Sequence, residues 1–100
     1  MRVYLVEPNS RYDLTALIAY GQIEYISKGS LNPFNISETL RKIKAGLVDF
    51  DPTEDYLCLT GNLLSVSMLT MVAYSLFKSF KILAFDARTS NYRERLVVNE

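Results

Sequence analysis

The sequence predicts a small three-layer, Rossmann-like α/β fold, with a mainly parallel sheet and an antiparallel hairpin at its C-terminal edge. Three observations support this prediction. Strand-like runs alternate with helical segments along the chain, which is typical of parallel sheets. The run Tyr56-Leu57-Cys58-Leu59 does not alternate with polar residues, so we expect a central strand that is covered on both faces. Segment 35–47 carries its apolar residues on one helical stripe, as a helix does when it covers a sheet.

Local signals predict the individual elements. β-branched and aromatic runs favour strands over 2–6, 22–27, 55–60, 80–85 and 92–98. Helices are predicted over 14–20, from about 35 to 47, and over about 63–79. Asp13 and Gly21 supply the start and stop signals of the first helix, and Asn35 with Glu38 resembles a capping box. Because crossovers between parallel strands are right-handed, we expect the strand order 2-1-3-4-5.

Length and charge set limits on organisation and partners. One hundred residues is a one-domain length, and we treat 1–100 as a single α/β domain. Lysine plus arginine equals aspartate plus glutamate at 11 each. Nucleic-acid binders usually carry a basic surplus, so we do not expect nucleic acid as a partner. The lone Cys58 cannot form an internal disulfide, and we expect a cytoplasmic protein.

The uncharged run 56–77 is long enough to cross a bilayer. Gly61-Asn62 interrupts it with strong turn chemistry, and serine and threonine residues dilute its apolar character. We therefore interpret the run as a buried strand, a turn and a buried helix, and expect no membrane partner.

The absence of histidine excludes several chemistries. With no histidine and one cysteine, the chain has no histidine-based triad, no histidine general base and no Cys/His zinc site. We expect no catalytic residue, no cofactor and no metal. Carboxylates, arginines, hydroxyls and backbone amides remain, and these bind anions or Mg²⁺–phosphate groups in other proteins.

A ligand site, if present, is expected where the strand order reverses, at the carboxyl ends of the first and third strands. The candidate ligand-binding residues there are Glu7, Asn9, Thr60, Gly61, Asn62, Asp86 and Arg88. Gly61 permits a tight turn, Asn62 caps the next helix, and the free amides of that helix would face an anion. The alternative interpretation is a well-capped turn without a ligand, because a dinucleotide fingerprint has three glycines and a P-loop has a lysine.

The helix predicted over 63–79 is apolar around most of its circumference. A helix on one face of a sheet needs an apolar arc of only about 100°, and this arc is roughly twice as wide. Either another helix of the same chain covers the excess, or a second molecule does. We predict a homodimer, with interface candidates Met68, Met71, Val72 and Leu76.

Two segments carry a resemblance: Asp51-Pro52-Thr53-Glu54-Asp55-Tyr56-Leu57-Cys58-Leu59-Thr60-Gly61-Asn62 and Phe85-Asp86-Ala87-Arg88-Thr89-Ser90-Asn91-Tyr92-Arg93. Together they resemble small, functionally unassigned α/β proteins encoded by bacteriophages, over about the last half of the chain. The resemblance implies a phage accessory protein that acts in the bacterial cytoplasm, and it carries no catalytic residue.

These observations favour a non-enzymatic regulatory or interaction module, homodimeric, that binds a host macromolecule such as a host protein. A small-ligand or nucleotide-binding domain that uses the Thr60-Gly61-Asn62 turn is the alternative. A metal-dependent phosphohydrolase is the third hypothesis.

Overall fold

The computed structural model describes residues 1–8, 14–27, 32 and 34–99, which form a five-stranded sheet with helices on its faces. The strands are β1 (Arg2–Leu5), β2 (Gln22–Tyr25), β3 (Tyr56–Cys58), β4 (Ser79–Asp86) and β5 (Asn91–Val98). The helices are α1 (Ile36–Gly46) and α2 (Leu63–Leu76), with a short 3-10 helix at Thr15–Leu17.

The strand order is β2-β1-β3-β4-β5, which confirms the predicted order. β1 pairs in parallel with β2 and β3, and β3 pairs in parallel with β4. β5 runs antiparallel to β4 over its full length, from Ser79↔Val98 to Asp86↔Asn91. The mainly parallel sheet with an antiparallel edge hairpin is therefore confirmed.

The sheet carries one apolar cluster on each face. On one face, Leu57 and Phe80 of the sheet pack against helices α1 and α2, which contribute Ile43 and Leu69. On the other face, Leu17 of the 3-10 helix packs against a second apolar cluster. That cluster contains Val3, Leu5, Tyr56, Cys58, Leu83 and Tyr92. β3 contributes to both clusters, which confirms a central strand covered on both faces.

The first predicted helix is wrong in type and length. Residues 14–20 contain only the 3-10 helix Thr15–Leu17, and Leu14 at its N-cap position makes no side-chain capping bond. The predicted cap, Asp13, lies outside the described residues. Nucleating an α-helix costs more than a seven-residue segment recovers in hydrogen bonds, and Leu17 is the one buried residue of the 3-10 helix. This face of the sheet consequently has a thin covering layer.

The two α-helices start where the sequence predicts. Asn35 caps α1: its side-chain oxygen accepts from the Glu38 N–H at 3.4 Å, and its Nδ2 donates to the Glu38 carboxylate at 3.1 Å. α2 ends at Leu76 rather than near 79, because Phe77 is extended and its ring lies 5.2 Å from that of Phe50. Beyond β5, the Asn99 amide side chain donates to the Tyr74 carbonyl at 2.7 Å.

A buried carboxylate joins the start of β1 to the loop before β3. Asp55 is 3% exposed and accepts the backbone N–H groups of Arg2 and Asp51, both at 2.9 Å. The Arg2 guanidinium donates to the same carboxylate at 3.2 Å. The three donors compensate the cost of burying this charge, and they fix β1 beside the chain that enters β3.

Replacing Asp55 is expected to destabilise the protein strongly. Asp55→Ala removes a buried carboxylate and leaves two partly buried N–H groups and the Arg2 guanidinium without this acceptor, so we expect the free energy of unfolding to fall by about 2–4 kcal/mol. Lys42→Ala is the control, since it removes only the exposed ion pair with Glu38 and should cost under about 0.5 kcal/mol. Urea denaturation measures both, and equal losses would contradict the proposed role of Asp55.

Gly21 and Gly61 allow two causes of strain on substitution to be distinguished, an unfavourable φ and a steric clash of the added Cβ. Both have a positive φ, 152° and 139°, which is unfavourable for residues with a Cβ. A Cβ at Gly21 would lie 2.5 Å from the Met1 carbonyl oxygen, whereas at Gly61 its nearest contact is a Val66 methyl at 3.7 Å. We expect Gly21→Ala to lower the thermal midpoint more than Gly61→Ala, because only Gly21→Ala adds a backbone clash. The reverse ranking would show that backbone conformation alone decides the cost.

Candidate functional site

The candidate ligand residues follow neighbouring strands at the carboxyl edge of the sheet. The pairs Tyr4↔Leu57 and Cys58↔Leu83 align β1, β3 and β4. Glu7 and Thr60 consequently follow the two strands between which the strand order reverses, and Asp86 ends the neighbouring strand β4 at the same edge of the sheet. Asn9, a further candidate, lies outside the described residues. Ligand binding at this edge stays a prediction.

The Thr60-Gly61-Asn62 turn forms a capped helix start. Gly61 has a φ of 139°, which permits the tight turn, and Thr60 is buried. The Asn62 side-chain oxygen accepts from the backbone N–H groups of Leu64 at 3.0 Å and Ser65 at 3.3 Å. Asn62 therefore caps α2 as predicted. Since the cap occupies two of the first-turn amides, an anion at this position would have to displace the Asn62 side chain.

Asp86 and Arg88 belong to a set of ion pairs within the β4–β5 turn. Asp86 accepts from the Arg93 Nε at 2.7 Å, and from the Arg88 backbone at 3.0 Å and its Nε at 3.4 Å. The hydrogen bonds from Arg93 and then Arg88 hold the pKa of the Asp86 carboxyl below its ordinary value. Both carboxylate oxygens are thus engaged inside the hairpin rather than directed at a ligand.

Arg93 is a partner of Asp86 that sequence reasoning missed. The antiparallel register pairs Ala84 with Arg93 and brings the Arg93 side chain back toward Asp86. The signal was present in the short turn between β4 and β5, which makes residues seven positions apart neighbours across the hairpin.

Cys58 is enclosed in the apolar cluster that the 3-10 helix covers. Its thiol donates to the Thr60 hydroxyl at 3.4 Å, and burial raises the pKa of Cys58 while this hydrogen bond offsets part of the effect. Nucleophilic and metal-binding cysteines react as thiolates, a form that this environment disfavours. Within residues 1–8, 14–27, 32 and 34–99, no group of three or more His, Cys, Asp or Glu is placed to hold a metal ion.

The interface candidates divide between the core and the surface. Met68 is 1% exposed and Val72 is 4% exposed, so these two candidates lie in the core and not on the outer face of α2. The reason is the rotation of the helix: Met68, Leu69 and Val72 form the stripe that faces the sheet. Met71 is 60% exposed and Leu76 is also exposed, as the prediction requires. The homodimer itself stays a prediction.

A surface groove runs along the outer face of α2. This α2 groove has a volume of about 600 Å³ and is lined by Val66, Ser67, Thr70, Met71 and Tyr74. The Ser67 and Thr70 hydroxyls donate to the carbonyls one turn earlier, those of Leu63 and Val66, at 2.8 and 3.0 Å. Because these hydroxyls already have acceptors, the groove can be buried without leaving them unsatisfied.

The fold is that of a small α/β protein with a mixed, mainly parallel sheet, and its surface offers an apolar face on α2. Residues 1–99 match the family model described as Phage Pam3 gp32-like protein, and the chain belongs to this family. This establishes a phage protein, as the resemblance implied.

The extent of the match corrects one detail, because the family similarity is not limited to the last half of the chain. No curated protein and no solved structure matches the sequence. Among the described residues, no helix combines the length and apolar character needed to cross a bilayer.

Cys58 is expected to resist thiol reagents in the native state, because it is buried and its thiolate is disfavoured. A disulfide reagent should label it rapidly only in denaturant. Ser37→Cys, which places a second thiol on the exposed start of α1, should gain one fast-reacting equivalent and serves as the control. Rapid labelling of the parent protein without denaturant would contradict the enclosed position of Cys58.

Proposed function

We propose that this phage protein is a non-enzymatic interaction module that forms a homodimer through α2 and binds a macromolecule of its bacterial host, in the host cytoplasm. The observation that carries the proposal is the α2 groove, an open apolar surface on a helix whose other face already fills the core. The family match supports the phage origin of the protein.

Exposed apolar side chains on α2 favour association. Leu63 is 81% exposed, and Met71, Tyr74 and Leu76 are about half exposed or more. Burying apolar surface contributes roughly 25 cal/mol per Å², so an interface over these side chains has a substantial driving force. The chain has zero net charge, so long-range repulsion between copies is weak.

The properties of α2 match a second copy of itself. No charged residue occurs in Leu63–Leu76, so two such helices meet without placing like charges together. Ser67 and Thr70 are small and internally hydrogen-bonded, which allows two helix backbones to approach closely. A two-fold contact brings the same patch against itself and closes the assembly at two subunits.

Two contacts weigh against the small-ligand alternative. The Asn62 side chain occupies the amides that an anion would use, and Asp86 is neutralised by Arg88 and Arg93. A ligand at this edge would have to break contacts that the folded chain already makes. The α2 groove needs no such rearrangement, and it therefore carries the proposed function.

Light scattering coupled to size exclusion tests the dimer. At micromolar concentration we expect twice the chain mass of 11.4 kDa for the parent protein. Met71→Lys should give the monomer mass without loss of secondary structure, because an unpaired charge in an apolar interface is costly whereas the same side chain is solvated in the monomer.

Val48→Lys is the matched control. Val48 is exposed like Met71, at 77% against 60%, but lies after α1, so the same substitution there should leave the dimer mass unchanged. A parent protein of 11.4 kDa at every concentration, or a Met71→Lys variant that keeps the parent mass, would refute self-association through α2.

A further inference from the structure

We propose that the outer edge of β5 binds an extended, acidic segment of a partner protein, which adds to the sheet as a sixth strand. The proposal deepens the proposed function, since it names the chemistry of the macromolecule that the module binds. It uses a surface other than the α2 groove, so the two can be tested separately.

β5 is a long edge strand whose outer side pairs with no other strand among the described residues. It pairs with β4 over all eight of its residues, Asn91–Val98, and the sheet order ends with it. The part of the chain that the structure describes places no strand beyond it. The register and the bond from the Asn99 N–H to the Lys78 carbonyl direct the backbone groups of Tyr92, Glu94, Leu96 and Val98 away from β4. The Tyr20 hydroxyl donates to the Tyr92 carbonyl at 3.4 Å and Arg95 donates to the Glu94 carbonyl, so a further strand takes the remaining groups of this row and draws Arg95 away from Glu94.

The two faces of β5 differ in chemistry. Arg93 and Arg95 point to the same face as Val97, whose side chain packs against the cluster under the helices. Leu96 and Val98 point to the opposite face and are 62% and 50% exposed. The edge thus presents Arg93 and Arg95 on one face, and Leu96 and Val98 together with Glu94 on the other.

The positive charge on β5 is only partly compensated. Arg93 binds Asp86, while among the described residues Arg95 has no carboxylate partner and donates to the Glu94 carbonyl at 2.6 Å. The Glu94 carboxylate lies on the other face, where burial and then the charge of this carboxylate raise the pKa of Tyr56. The charge that remains available along this edge is cationic.

The positive charge of Arg93 and Arg95 therefore favours an acidic segment as the partner strand. An extended segment with acidic residues at alternate positions places them all on one face, beside Arg93 and Arg95. Its intervening residues then lie beside Leu96 and Val98, where apolar side chains fit. The partner is defined by this alternation of acidic and apolar residues, and the backbone ladder supplies the sequence-independent part of the binding.

A second copy of β5 fits this edge poorly. Two antiparallel registers overlap nearly the whole strand. One is centred on Glu94 and the other on Arg95. The first places Arg93 of one copy opposite Arg95 of the other, and the second places Arg95 opposite itself. Like charges directly opposite each other destabilise a strand pair, so self-pairing is disfavoured where the overlap is greatest.

The probe is a capped eight-residue peptide of alternating valine and glutamate, titrated into the full isotope-labelled chain. We expect chemical-shift changes and slowed amide exchange concentrated in Asn91–Val98. Arg95→Glu should weaken the affinity about tenfold, equivalent to 1.4 kcal/mol. Arg41→Glu makes the same charge change on exposed α1 and should leave the affinity unchanged.

Backbone controls test the added strand itself. Two further peptides carry N-methyl groups on either all valine or all glutamate amides, and one of the two should lose binding because alternate amides face β5. A peptide of alternating valine and lysine should not bind. Absence of binding by the valine–glutamate peptide, equal affinity for Arg95→Glu, shifts outside β5, or binding by both methylated peptides would each overturn the proposal.

The same experiments separate this proposal from the dimer. Met71→Lys should bind the valine–glutamate peptide as the parent does, whether or not light scattering shows the parent to be dimeric. If amide protection in β5 instead rises with protein concentration in the absence of peptide, a second copy occupies the edge, and the acidic-strand proposal is wrong.

Discussion

The burial of β3 on both faces is the constraint on which the rest of the structure depends. Leu57 and Cys58 are fully enclosed, one on each side of the sheet. A strand of only three residues cannot satisfy this by itself, so α1 and α2 cover one face and the 3-10 helix covers the other. α1 lies on the connection from β2 to β3 and α2 on that from β3 to β4, so the crossovers that cover the sheet also leave β3 between the parallel strands β1 and β4.

The strand order and the helix caps were predictable because their signals are local or topological. The uninterrupted apolar run at 56–59 identified the central strand, and Asn35 and Asn62 marked helix starts through their own side chains. The start and stop signals around the short segment after Asp13 predict an α-helix. Such signals do not report whether a helix buries enough surface to form. Tertiary packing decided that point, since one buried side chain, Leu17, was too little.

The candidate surfaces were harder to predict than the fold. The sequence of α2 shows that the helix has more apolar surface than one sheet face covers. The rotation of the helix depends on the sheet it packs against, so Met68 and Val72 are buried whereas Met71 is exposed. Likewise, the Asp86–Arg93 contact depends on the hairpin register, and the engagement of the Asn62 side chain depends on turn geometry. Such features are set by three-dimensional neighbours rather than by spacing along the chain.

The contact between Arg2 and Asp55 has a consequence for the rate of folding. Its two residues are 53 positions apart, so it forms only after a loop of that length has closed. The pairing of β1 with β3 spans the same separation. Long-range parallel pairing of this kind slows folding relative to helical proteins of equal length. β1 is synthesised before β3, yet its pairing with β3 forms only once the middle of the chain has left the ribosome.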